Sequence, residues 1–382
     1  MLKKFEVENF KNFKSKIQID FSNVGGYQFG NDCISNDLIA KMLIYGKNAV
    51  GKTNLGEAIM DVKKTLFRGV FINEEILNAN SSSDYASFMY EFTFEDKKVL
   101  YKYTKYGNSE IRDEELLIDG IRIFYCGVEQ NFNDFNNLYI IQAENINVED
   151  YENSVYEEDN YDESIEHRIP FFRFLIRNAA FSKDSVIRKV ASYINRMERI
   201  TLGSSTRSIP SFVMEKRFML FEDRSELDKL EGFFSNMGIE CKLSFGRMPD
   251  GKSQLYFACD KSIPFYKNAS SGTIALFNLY VRILASRRKA SFMYIDEFDA
   301  FYHYEMARNL IHFLKEEYPE CQVILTTHNT NLMSNRLLRP DCLFILSSEG
   351  KLTALCDATE RELREGHNLE KMYISGEFAK YE

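Results

Sequence analysis

One eight-residue segment, GKNAVGKT from Gly46 to Thr53, constrains the chain more than any other. It satisfies G-x-x-x-x-G-K-[ST], follows the apolar run MLIY (Met42 to Tyr45), and opens onto NLGEAIMDVKKTLF, which reads as a helix. A strand, a glycine loop and a helix in that order form a phosphate cradle. Glycines let the backbone wrap closely, successive N–H groups collect on one side, and the helix N-terminus adds a favourable dipole. Gly46, Asn48, Gly51, Lys52, Thr53 and Asn54 are the candidate cradle. Lys52 is placed to reach the β- and γ-phosphates and Thr53 to ligate Mg²⁺. The loop reads phosphates and leaves the base open.

A chain of 382 residues allows two or three domains, and 45% hydrophobic residues suffice for a packed core. Apolar runs fall well short of the ~20 residues of a membrane span, and MLKKFEVENF carries no leader pattern. Seven scattered cysteines without a C-x-x-C pair argue against a zinc site and a disulfide framework, and point to the cytoplasm. The net charge of −9 is uneven: Glu144 to Glu166 holds ten acidic residues and no Lys or Arg, so the remainder has 48 basic against 47 acidic residues. That stretch reads as a solvated loop, or else as a docking strip for a basic partner or a nucleic-acid mimic. The charge of the body gives no support for nucleic-acid binding.

Along the chain, FEVENF and KIQIDF read as a strand pair. Aromatic and β-branched residues alternate with charges from Ala86 to Ile141, ending in NLYIIQA, and predict an antiparallel sheet. Phe171 to Met237 carries helical spacing, with basic residues such as Arg188, Lys189, Arg196 and Arg199 expected on a solvated face or paired with the lobe's own Glu and Asp, the alternative being a face toward nucleic acid. Strands IECKLSF and SQLYFAC flank the turn MPDG. A helix over Ile274 to Ser286, a strand over Phe292 to Ile295, a helix over Ala300 to Glu317, a strand over Gln322 to Thr326 and a pair at CLFIL and KLTAL complete the pattern. The expected division is 1–142 and 239–382 as two parts of one α/β nucleotide-binding core, with 143–238 as an acidic segment and inserted helical lobe.

Three further motifs follow the loop in order. ASSGT (Ala269 to Thr273) precedes a helix and reads as an N-cap and anion site. FMYIDE ends an apolar strand in two carboxylates: Asp296 suits Mg²⁺, and Glu297 suits polarisation of an attacking water. ILTTHN delivers His328 at the end of another apolar strand. Asp299 lies two residues beyond the DE pair, and His303 reads as a helix-face residue.

This order resembles the ABC-type ATPase heads of the SMC, Rad50, RecF and OLD group. The resemblance implies two heads sandwiching two ATP molecules, with Ser270, Ser271 and Gly272 as a signature loop that touches the partner's nucleotide. It differs from the LSGGQ of transporters. It also implies Asp299 in the D-loop and His328 as the switch histidine. The opening EVENFKNFKS, the blocks SSGT, YIDEFDAFYH and LTTHNTNLMSNRLLRPDCLFIL, and the tail NLEKMYISGEF are similar to the AAA15 family of bacterial ABC-type ATPases, over the first 60 and last 115 or so residues. The similarity implies Lys11 and Asn12 near the nucleotide and Gln142 as the Q-loop glutamine, beside the metal. The expected fold is an ABC-type P-loop head with a mixed sheet, an antiparallel β subdomain and the inserted lobe. The expected ligands are ATP and Mg²⁺, in a homodimer. No toprim-like acidic cluster, HNH pattern or Ser/His/Asp set accompanies the ATPase motifs, so the effector is expected to be a separate protein, and the resemblance implies that it is a nuclease or toxin controlled by this chain as a sensor or regulatory ATPase. Relatives serve in anti-phage defence; the alternative is a RecF- or Rad50-like role in DNA repair.

Overall fold

The computed structural model describes residues 1–68, 75–108, 110–128, 132–143, 145–153, 156–158, 166–202, 218–248, 251–285 and 290–382. Two sheets dominate. The first is antiparallel and built from β1 (Leu2–Glu8), β2 (Ile17–Asp20), β4 (Tyr85–Phe94), β5 (Lys97–Tyr106), β6 (Ile111–Ile118), β7 (Ile121–Gly127) and β8 (Phe132–Asp134). Its order is β8-β7-β6-β5-β4-β1-β2. Alternating burial along β4 matches the alternation in ASFMYEFTF.

The second sheet holds β3 (Lys41–Tyr45), β9 (Met197–Thr201), β12 (Phe292–Asp296), β13 (Gln322–Thr327), β14 (Leu343–Leu346) and β15 (Leu352–Ala354), in the order β9-β12-β13-β3-β14-β15. All neighbours are parallel except β14 and β15. Every residue of β3, β12 and β13 is buried, which is why each carries an apolar run, with polar residues only at its ends. A separate three-stranded sheet pairs β10 (Leu243–Arg247), β11 (Ser253–Phe257) and the short strand Ile263–Pro264. The helices used below are α1 (Lys52–Lys63), α2 (Phe171–Asn178), α3 (Val186–Asn195), α4 (Arg224–Asn236), α5 (Ser271–Ala285), α6 (Tyr304–Glu317) and α7 (Leu369–Ile374).

Helix α1 is held between the sheets. Tyr90 and Tyr103 of the antiparallel sheet donate to Ala58 O and Asp61 Oδ2, both at 2.7 Å, and Lys105 pairs with Asp61 at 2.7 Å. On its other face Gly56 lies against the Tyr294 ring. Gln322 ties the sheets at a second point, accepting from Leu2 N at 2.9 Å and donating to Leu2 O at 2.8 Å.

Several expectations need correction. NLYIIQ is not a strand: Leu138–Ile141 is a 3-10 turn, and the burial of Leu138 and Ile141 beside exposed Tyr139 and Ile140 is an i, i+3 pattern. The stretch from Phe171 to Met237 is only partly helical. MERIT (197–201) leaves α3 and pairs with β12 as an edge strand of the core sheet, burying Met197 and Ile200; tertiary pairing overrides the local helical spacing. Residues 203–217 of that stretch lie outside the described residues. In the acidic stretch, Val148–Asn153 is helical and Tyr156–Glu158 pairs with Glu166–Arg168. Residues 144, 154–155 and 159–165 lie outside the described set. Helix α5 starts at Ser271, three residues early, and α6 at Tyr304, four residues late.

Candidate functional site

The parallel strands β12, β13 and β3 end side by side, with Thr327 opposite Tyr45 and Ile295 opposite Leu325. Gly46, Asp296 and His328 therefore leave the same edge of the sheet, the carboxyl edge where α/β folds build their sites. Gly51 adopts φ +105°, and a Cβ there would lie 2.1 Å from Asn12 Nδ2, so only glycine fits. Ala49 is also left-handed, at φ 66°. Left-handed residues in such a loop make the concave nest that binds anions. At Gly46 a Cβ would meet Val50 at 2.8 Å.

Lys52 is buried, and its ammonium donates to Gly46 O at 2.7 Å and Lys47 O at 2.9 Å. Burial pulls its pKa down, against the opposing pull of Glu297, Asp296 and Asp299. Thr53 Oγ1 donates to Asp296 Oδ2 at 2.6 Å, and Thr326 Oγ1 donates to Asp296 Oδ1 at 2.8 Å. A hydroxyl beside a nearly inaccessible carboxylate is the all-oxygen donor set that suits Mg²⁺, which takes one or two carboxylates and fills the rest with phosphate and water. Glu297 is left-handed at φ 48°, and its N–H donates to Thr326 Oγ1 at 2.8 Å.

Asp299 is buried and receives Thr327 Oγ1 at 2.8 Å, while its Oδ1 has no partner among the described residues; burial raises its pKa. His328 is exposed just beyond β13. Asn12 Nδ2 donates to Val50 O at 3.0 Å and its Oδ1 accepts from Asn54 at 2.7 Å, so the opening motif closes on the loop. Asn48 is exposed on the loop. Lys11 pairs at 2.5 Å with Glu57 of α1. The sequence reading missed that carboxylate, and it missed its second partner, Arg199 of β9 at 3.1 Å, because neither stands in a motif.

Ser270 caps α5, accepting from Thr273 N at 3.1 Å, and Ser270 and Ser271 are exposed. A Cβ on Gly272 would lie 3.0 Å from Phe301 O, which brings the start of α5 against the segment following Asp299. None of the described hydrogen bonds of Ser270 to Gly272 reaches the phosphate loop of the same chain. No described hydrogen bond links Gln142 to the phosphate loop or to the carboxylates. It is exposed at φ 58° after the 3-10 turn beside β7, whereas α1 packs on β4 and β5. Among the basic residues of the middle segment, Arg188 is exposed, Lys189 pairs with Glu95 at 2.6 Å, and Arg199 faces α1. His303 is an exposed helix-start residue 3.8 Å from Glu305.

The fold is that of an ABC-type P-loop ATPase head of the SMC kind, with an antiparallel sheet set beside a mixed core sheet. The chain belongs to the AAA_21 family, described as "AAA domain, putative AbiEii toxin, Type IV TA system", which matches residues 41–334. A search of curated proteins finds no match. Among solved structures, an SMC head bound to the C-terminal winged-helix domain of ScpA is similar at 15% identity and a TM-score of 0.51, covering 93% of this chain and 97% of that one. The SMC head of Thermotoga maritima aligns at 14% identity and 0.44, covering 92% and 98%. That of Pyrococcus yayanosii aligns at 12% and 0.47, covering 93% and 98%. Among the described residues no helix is long and apolar enough to cross a membrane.

Proposed function

We propose that the chain binds and hydrolyses ATP as a head-to-head homodimeric switch, and that it is the sensor or regulatory subunit of a bacterial anti-phage system controlling a separate nuclease or toxin. The observation that carries the reading is the split arrangement. Lys52, Thr53, Asp296 and Glu297 converge at one sheet edge, while Ser270 and Ser271 stand exposed at the start of α5 with Gly272 half-buried beside them. A second copy is what would bring the two halves together.

In this reading Gly46, Asn48, Gly51, Lys52 and Asn54 cradle the phosphates, with Asn12 closing the loop from outside. Thr53 and Asp296 hold Mg²⁺, which supplies charge neutralisation at the phosphates. Glu297 polarises the attacking water, and His328 contacts the γ-phosphate. Asp299 and the partner's signature loop complete the site. Lys11, bound to Glu57, stands one step behind the loop. The divisions at 142 and 238 belong to the same proposal, with the middle piece an insertion that lends β9 to the core sheet. A family described by a toxin–antitoxin system is in keeping with a defence role.

The direct test is nucleotide binding and phosphate release by the wild type and Lys52→Ala. Loss of binding in the variant is expected; unchanged affinity removes the phosphate-loop assignment. Stable co-purification with a nuclease or toxin supports the defence role, and salt-dependent DNA binding by the isolated chain supports repair instead.

A further inference from the structure

Two adjacent hydroxyls, outside the residues assigned above, hold the site's carboxylates. Thr326 and Thr327 end β13 and are fully buried. Thr326 Oγ1 donates to Asp296 Oδ1 at 2.8 Å and accepts the Glu297 N–H at 2.8 Å. Its backbone carbonyl accepts from Phe298 N at 3.1 Å. Thr327 Oγ1 donates to Asp299 Oδ2 at 2.8 Å and accepts from Asn329 N at 2.9 Å. One hydroxyl thus grips the turn that follows β12, and the next grips both Asp299 and the start of the turn after His328.

We propose that Thr326 is a positioning residue that sets Asp296 for Mg²⁺ and Glu297 for water, while Thr327 sets Asp299 for the neighbouring copy. The argument rests on two constraints. A carboxylate accepts in several directions, and Asp296 has one oxygen turned to Thr53 while the other is held by Thr326. Glu297 is a non-glycine residue in the left-handed region, a conformation that costs energy and persists where surroundings enforce it. The hydroxyl of Thr326 is the side-chain acceptor for the amide of that residue. Loss of a group that orients a metal ligand typically weakens metal binding about 10- to 100-fold. Valine at either position keeps the shape and removes the hydroxyl.

This inference rests on the ATPase reading, and a binding assay separates the two. Affinity for a fluorescent ATP analogue is measured in EDTA and across a Mg²⁺ titration for the wild type, Thr326→Val, Thr326→Ser and Thr327→Val. The expected result is unchanged EDTA affinity in all four. Thr326→Val needs about 10-fold more Mg²⁺ for half its effect, and Thr326→Ser behaves as the wild type. Thr327→Val keeps the Mg²⁺ response but loses nucleotide-dependent self-association. An equal Mg²⁺ response in Thr326→Val and wild type overturns the positioning role and leaves the ATPase reading standing. Equal losses in Thr326→Val and Thr327→Val also overturn it, since the cause is then general damage to β13. A wild type that binds no nucleotide overturns both.

Discussion

Replacing Gly56 with alanine should destabilise the protein, although helix propensity alone says the opposite. Alanine in a helix interior is worth ~1 kcal/mol over glycine. At Gly56, however, a Cβ would lie 2.5 Å from two carbons of the Tyr294 ring and 3.0 Å from a third. Tyr294 is fully buried, and its hydroxyl donates to the backbone carbonyl of Lys52, so the ring cannot swing aside without breaking a bond to the phosphate loop. Overpacking costs about 1–3 kcal/mol, and the lost hydrogen bond about 0.5–1.5. Offset by the propensity gain, the net loss centres near 2 kcal/mol. Gly232, in the interior of α4, is the control, because a Cβ there meets nothing within 4 Å. Gly232→Ala should therefore stabilise by up to ~1 kcal/mol. Urea unfolding followed by circular dichroism measures both, since the chain has no Trp. Gly56→Ala should also weaken nucleotide binding, because α1 and Lys52 move together. If both substitutions stabilise equally, the packing of α1 on β12 is wrong.

Three other outcomes follow from the buried polar groups. Lys105→Met leaves the buried carboxylate of Asp61 without its cation and should cost about 3–5 kcal/mol in unfolding experiments; adding Asp61→Asn should return part of it. Burial pushes the fully buried Glu114 up to about 6 from an ordinary 4.5. The fold binds this proton more tightly than the unfolded chain does. The group's contribution is therefore most favourable below pH 4.5 and is lost as pH rises to 6, by ~2 kcal/mol. Glu114→Gln should flatten that part of the stability–pH curve, and an unchanged curve would refute the assignment. Glu57→Gln frees Lys11 and Arg199 at the phosphate-loop helix. It should alter nucleotide affinity with a stronger salt dependence than the wild type, as measured by titration at two ionic strengths.

The parts of the site that were legible in the sequence are those set by local geometry. Gly46 and Gly51 are demanded by close approach and a left-handed backbone, and β3, β12 and β13 by apolar runs. What stayed hidden depends on partners far away in the chain. MERIT has no strand signal strong enough to separate it from the preceding helix, and it is a strand because β12 offers a parallel edge. NLYIIQ carries apolar residues without alternation and forms a 3-10 turn. Thr326 and Thr327 pass in sequence for ordinary β-branched strand residues, until the fold sets Asp296, Glu297 and Asp299 beside them. Arg199, expected on a solvated face, is drawn to Glu57 by the same edge strand.

The composite site is tested most directly by the mass of Glu297→Gln in solution. The single chain is 44.7 kDa. With ATP and Mg²⁺, light scattering after gel filtration should give twice that mass, and without nucleotide the single mass. Adding Ser271→Arg, which puts a long cation at the exposed start of α5, should leave ATP bound and abolish the dimer. A Glu297→Gln protein that holds ATP as a monomer, or a dimer indifferent to Ser271→Arg, would contradict the account.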